Sequence, residues 1–253
     1  MSTYSIVFSP TNGTKKVADI LAKEFAENYT EIDLCDRTTD YEKIQLTAED
    51  ICFISVPSYG GRVPALAVER VQKLSGNGAK AVLVVVYGNR DYDDTLLELY
   101  DVAKQQNFIC ASGITAIAEH SLMRQYAAGR PDAKDEAQLK EFAQQLKAKL
   151  AEPVSGELNV KGNRPYKEYN GVPFKPITSE ACNQCGACVK ACPADALSSE
   201  APGTVNEEKC ISCMRCIQVC PENAKHLDEM MLNAVAEKME PLFRERKETE
   251  IFW

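Results

Sequence analysis

Over roughly the first 150 residues, short apolar runs alternate with stretches whose apolar positions recur every three or four residues. Residues 4–8 are β-branched and aromatic and predict a strand. After a turn at residues 9–13, Val17, Ile20, Leu21 and Phe25 fall on one helical face. Residues 30–34 and 51–56 predict two more strands, the latter closed by Pro57, Gly60 and Gly61. Ala65, Val68, Val71 and Leu74 mark the next helix. Residues 81–86 form an unbroken apolar run, the signature of a strand covered on both faces. A helix around Leu96, Leu97 and Tyr100, a strand at 108–118 and a helix at 135–150 complete the series. Five strands alternating with helices predict an α/β fold, a doubly wound five-stranded parallel sheet over residues 1–152.

The alternation then stops. Pro153, Gly156, Gly162, Pro165, Gly171, Pro173 and Pro176 predict a linker over 153–177. A cysteine-rich unit follows at 178–226, and residues 227–253 read as a C-terminal helix and tail. In that tail Leu227, Met230, Met231, Leu242 and Phe243 are available for packing, which suits the Met pair better than contact with a partner.

Composition narrows the function. The length of 253 residues suits two domains, and 45% hydrophobic residues supply a buried core. A net charge of −8 argues against a nucleic-acid partner, which requires a basic face to release counterions. No apolar run is long enough for a membrane span, and the first residues lack the basic flank of a secretion signal. The expected location is therefore the cytoplasm. Of 11 cysteines, Cys35, Cys52 and Cys110 are scattered and read as small buried groups, while eight crowd between Cys182 and Cys220. In a reducing compartment such a cluster signals metal rather than disulfides.

Those eight form an internal repeat. Cys182, Cys185, Cys188 and Cys192-Pro193 recur 28 residues later as Cys210, Cys213, Cys216 and Cys220-Pro221. Each half has three cysteines at two-residue intervals, able to wrap three corners of a [4Fe–4S] cube while loop amides face its negative charge. Two zinc sites or a disulfide knot are the weaker alternatives, since a tetrahedral zinc has no need of the third closely spaced cysteine. Residues 178–226 thus resemble the two-cluster bacterial ferredoxin family, a small α+β domain. The resemblance implies crossed ligation, with one cluster on Cys182, Cys185, Cys188 and Cys220 and the other on Cys210, Cys213, Cys216 and Cys192.

Three loops carry the chemistry of the first half. Ser9-Pro10-Thr11-Asn12-Gly13-Thr14 joins a strand to a helix N-terminus. It reads as an anion cradle or as an ordinarily capped helix start. Residues 57–62 and 87–92 fall at the ends of later strands, where open α/β sheets bind ligands, and each sets a tyrosine beside glycine. Together the loops resemble the flavodoxin family. The resemblance implies FMN, with its phosphate held by Ser9, Thr11, Asn12, Gly13 and Thr14. It implies Tyr59 and Tyr92 flanking the ring, and Gly60, Gly61, Gly88 and Asn89 contacting it. The family loop reads Ser/Thr-x-Thr-Gly-x-Thr, and here Asn12 precedes Gly13, shifting the turn by one residue.

The whole chain resembles the flavodoxin–ferredoxin fusion proteins of anaerobic bacteria and archaea. The expected function is electron transfer between two [4Fe–4S] clusters and FMN, linking ferredoxin-like carriers to a redox partner, with a homo-oligomer as an option. An FMN-dependent reductase of a small acceptor fed by the clusters is one alternative. A cluster protein with an empty flavodoxin-like fold is another. His120 ends the last strand as a turn residue and secondarily as a proton source for the ring. No Gly-x-Gly-x-x-Gly fingerprint for a dinucleotide is present.

Overall fold

The computed structural model describes residues 1–154 and 156–253. The strands β1 (Thr3–Val7), β2 (Thr30–Asp33), β3 (Ile51–Pro57), β4 (Lys80–Tyr87) and β5 (Ile109–Ile117) pair in parallel in the order 2-1-3-4-5. This is the flavodoxin-like order, which puts its switch point between β1 and β3. Burial on both faces shows in the side-chain alternation. Phe53, Val82, Val84 and Val86 face α1 (Gly13–Phe25) and α4 (Ala133–Ala151). Ile54, Val56, Leu83 and Val85 face α2 (Ala65–Val71) and α3 (Thr95–Gln105). Phe25 closes on Phe53 edge to face at 5.1 Å.

The sheet differs from the expected five strands in one respect. A sixth strand, β8 (Glu250–Phe252), pairs antiparallel to β5 at the edge. Three residues lacking periodic context gave no strand signal in sequence. The tail also corrects the packing expectation. Its α-helix covers only α7 (Glu229–Met239), Pro241 giving way to a 3₁₀ turn, and Met230 is 84% exposed while Met231 and Leu242 are exposed as well. Leu232, Val235, Ala236 and Met239 do the packing, against Leu122, Met123 and Phe243. Leu227 and Phe243 are buried as expected.

The segment between the two halves lies along the sheet domain. Leu158 and Phe174 are buried. The amides of Asn163 and Lys167 donate to the two carboxylate oxygens of Asp94 at 2.7 and 2.6 Å. The cysteine unit adds the two-residue antiparallel pair β6 (Ile177–Thr178) and β7 (Lys225–His226), with α5 (Ala187–Ala191) and α6 (Arg215–Gln218). Buried Arg70 of α2 clips it to the sheet domain, donating to the carbonyl of Leu34 and, at 2.6 Å, to that of Pro193. No helix of the described residues is long and apolar enough to cross a membrane.

Candidate functional site

A large cavity opens at the carboxyl ends of β1, β3 and β4, with about 1200 Å³ of empty space. Its polar end is the β1–α1 loop. The Ser9 hydroxyl accepts the amide of Lys15 at 2.9 Å, and Asn12 takes a left-handed φ of 66° with its carbonyl accepting from Lys16. The amides of Thr11, Asn12, Gly13 and Thr14 lie at this turn and the start of the helix. Among the described residues none of the four meets an acceptor. Four unsatisfied amides at the positive end of a 13-residue helix form a cradle that fits a phosphate group.

Tyr59 and Gly60 lie on the cavity wall, the turn being held by reciprocal backbone hydrogen bonds between Tyr59 and Arg62. Gly88 has no room for a side chain, since a Cβ there would sit 2.5 Å from the His120 ring. Burial raises the Tyr59 phenol well above its ordinary value, keeping it neutral.

Of the residues expected at this site, Ser9, Thr11, Gly13, Thr14, Tyr59, Gly60, Gly61 and Gly88 line the cavity. Asn12, Asn89 and Tyr92 do not. Asn12 contributes its backbone bend. Tyr92 turns inward and packs edge to face on Tyr87 at 5.5 Å, because left-handed Asn89 and Asp93 reverse the chain on either side of it. The Asn89 carboxamide is fully occupied. It donates to the carbonyls of Phe243 and Glu245 at 2.9 and 2.8 Å and accepts from Lys247 and Arg130.

Other lining residues come from elements that sequence reading did not connect to the site. Tyr169 and Phe174 arrive from the connecting segment, Met239 and Phe243 from the tail, and Ser212 from the second cysteine run. The ring of Tyr169 covers Gly60. Its aromatic character within a Gly/Pro-rich stretch was the available signal.

His120 also lines the cavity. Its Nδ1 accepts the amides of Leu122 and Met123 at 3.2 and 3.1 Å, which leaves the proton on Nε2. Burial first, and Arg90 second, push its pKa down to about 4. The unfolded chain binds this proton near pH 6.5 and the folded chain only near 4. The folded state therefore loses stability as pH falls through that window, by about 2 kcal/mol at pH 4.5. His120→Asn keeps an acceptor for the two amides but does not titrate. Its denaturation midpoint is expected to drop less than the wild type's between pH 7 and 4.5.

The eight clustered cysteines divide between two smaller cavities of about 310 and 340 Å³ empty space. Cys182, Cys185, Cys188 and Cys220 line the first. Cys192, Cys210, Cys213 and Cys216 line the second. Each cavity takes three sulfurs from one run and the fourth from the other. The repeat reaches down to the backbone. Left-handed residues recur at the same offset as Gln184 and Ser212, Gly186 and Met214, and Asp195 and Asn223. The fourth cysteine of each run accepts an amide four residues on, Cys192 from Ala196 and Cys220 from Ala224, both at 3.3 Å. Four sulfurs surrounding an enclosed space, with amides aimed at sulfur, fit an iron–sulfur cube. Among the described residues no group of His, Cys, Asp and Glu is placed to hold a single metal ion.

Cys35 and Cys52 are buried and Cys110 is half-buried; burial pushes all three thiols up to about 12 and keeps them unreactive.

Residues 181–224 match the family described as the 4Fe-4S dicluster domain. No curated protein matches the chain. Among solved structures, a Streptococcus pneumoniae flavodoxin is 21% identical, covering 58% of this chain and 99% of its own, with a TM-score of 0.39. A short-chain flavodoxin associated with a PDU bacterial microcompartment is 17% identical, covering 60% of this chain and 100% of its own, TM-score 0.42. The rubredoxin oxygen:oxidoreductase of Desulfovibrio gigas is 16% identical over 59% of this chain and 36% of its own, TM-score 0.40. At these values the fold assignment rests on the strand order itself. The chain joins a sheet of flavodoxin-like strand order to a segment that matches the 4Fe-4S dicluster domain.

Proposed function

We propose that this chain holds two [4Fe–4S] clusters and one FMN and shuttles electrons between ferredoxin-like one-electron carriers and a redox partner. Cys182, Cys185, Cys188 and Cys220 would ligate one cluster, and Cys210, Cys213, Cys216 and Cys192 the other. Ser9, Thr11, Gly13 and Thr14 would hold the FMN phosphate, and Tyr59, Gly60, Gly61, Gly88 and Tyr169 would surround the ring. Residues 1–152 then form the flavin half and 178–226 the cluster half, with 153–177 and 227–253 packed across both.

The observation that carries the reading is a shared wall. Ser212, next to Cys213, lines the same cavity as Tyr59 and Gly60. Lys175 fixes that wall, its Nζ donating to the Cys210 carbonyl at 2.6 Å and to the Ser212 hydroxyl at 3.2 Å. When bound, clusters supply one-electron chemistry and flavin one- or two-electron chemistry. The chain's part is to bind them side by side and to exclude water with Phe174, Met239 and Phe243.

Protein purified without oxygen is expected to carry about eight iron and about one FMN per chain and to bleach on mixing with reduced ferredoxin. Zinc in place of iron would overturn the cluster assignment, and iron without flavin after FMN reconstitution would overturn the flavin assignment. A second reading, reduction of a small planar acceptor, is favoured by the apolar end of the cavity. Leu122, Met123, Val235 and Phe243 line this cavity together with His120, whose Nδ1 is occupied by two amides and whose ring meets that of Phe243 edge to face at 5.5 Å. Steady turnover of a quinone by the reduced protein would establish it.

A further inference from the structure

The two halves of the cysteine repeat match so closely that the one mismatch buried in both halves stands out. Leu197 and Lys225 are equivalent, 28 residues apart and each five residues after the fourth cysteine of its run. Both are buried, at 5% and 2% exposure. Both sit in short antiparallel pairings, Leu197 opposite Val205 and Lys225 opposite Thr178. Each lines a four-cysteine cavity, Leu197 that of Cys192, Cys210, Cys213 and Cys216, and Lys225 that of Cys182, Cys185, Cys188 and Cys220. One half of the repeat therefore presents a methyl-bearing chain where the other presents an ammonium.

Burying an ammonium is costly unless charge and hydrogen bonds compensate it. The only hydrogen-bond partner of Lys225 Nζ among the described residues is the neutral Thr178 hydroxyl, at 2.8 Å. Among the described residues no carboxylate pairs with it. Glu222, the other charged residue lining this cavity, is exposed and accepts from the Asn183 amide at 2.9 Å. The remaining candidate for compensation is the anionic content of the four-cysteine site itself. The second cavity has a cation too, Arg215, but that side chain is partly exposed and is shared with the Ser9 carbonyl at 3.4 Å and the Asp33 carboxylate at 3.8 Å. Its charge is partly committed elsewhere, whereas that of Lys225 is not.

We propose that Lys225 is the buried counter-ion of the site formed by Cys182, Cys185, Cys188 and Cys220, and that it raises the reduction potential of the cluster held there. This rests on the cluster assignment made above. A fixed positive charge favours the more negative, reduced state, and it acts strongly in a poorly screened interior.

The test is potentiometric titration of the anaerobic full-length protein with dithionite, followed by electron paramagnetic resonance. Lys225→Met keeps an unbranched side chain, one atom shorter, and removes the charge. It is expected to lower one midpoint by the equivalent of about tenfold or more in the one-electron equilibrium, about 59 mV or more, and to move the other less. Lys225→Arg, which keeps the charge, is expected to keep both midpoints near wild type. Two wild-type midpoints in a Lys225→Met protein with full iron and sulfide would overturn the proposal. If Lys225→Met does not take up iron, Lys225→Gln, uncharged and hydrogen-bonding, provides the same comparison. A wild-type protein lacking iron would instead defeat the cluster assignment, so iron and sulfide analysis separates the two failures.

Discussion

Combining Cys192→Ala with Cys216→Ala is expected to leave one cluster in place, whereas combining Cys192→Ala with Cys188→Ala is expected to remove both. The reason is the division of sulfurs between the two cavities. Cys192 and Cys216 line the same cavity, while Cys192 and Cys188, though only four residues apart, line different ones. Loss of one thiolate opens a corner of a cube, so the first double variant damages a single site and the second damages two. Iron analysis should give about four atoms per chain in the first and few in the second. If each run served its own cluster, the outcomes would be exchanged, so one pair of measurements decides between crossed and local ligation.

The second large effect is expected at Asp135. Its carboxylate holds the buried Arg130 guanidinium through two hydrogen bonds, at 2.8 Å to Nε and 2.5 Å to Nη2, and both side chains are almost wholly buried. Arg130 in turn donates to the Lys247 carbonyl at 2.9 Å and to Asn89. Asp135 also accepts the Asp132 amide in the capping box that starts α4. Asp135→Ala strands a buried cation and is expected to cost about 3–5 kcal/mol in denaturant unfolding. It also frees the tail that carries Phe243, so FMN affinity should fall with it. Arg246→Ala removes a half-exposed partner of the same carboxylates and is expected to cost about 1 kcal/mol or less. Equal losses in the two variants would refute the buried-pair account.

The legible parts of this molecule were those written in regular periods. The unbroken run at residues 81–86 became the central strand covered on both faces, and the spacing of Val17 and Leu21 became the face of α1 on the sheet. The cysteine spacing was legible because a cube needs three ligands on one tight loop. Long-range closure was not legible. Tyr92 and Asn89 carry the residue types a flavin loop uses, yet backbone reversals send one into the core and commit the other to the tail. Tyr169 was hidden for the opposite reason. Its segment has no periodicity, and its position is set by Asp94, whose carboxylate accepts two amides of that segment. Met230 and Met231 begin α7 where the helix has not yet reached its packing partners, so their apolar character predicted burial that the geometry does not provide.

The pairing of β8 with β5 has a consequence for how the cysteine unit moves. Residues 250–252 rejoin the sheet that residues 3–7 began, so the cysteine unit is spliced into the flavodoxin-like domain and tethered at both ends. A pendant module on one linker would sample many orientations; a double tether restricts that rotational freedom and keeps the cysteine unit close to the sheet. The same arrangement makes the outer edge of the sheet depend on residues that follow the cysteine unit, so cutting the chain after that unit would leave β5 as an unprotected edge prone to self-association.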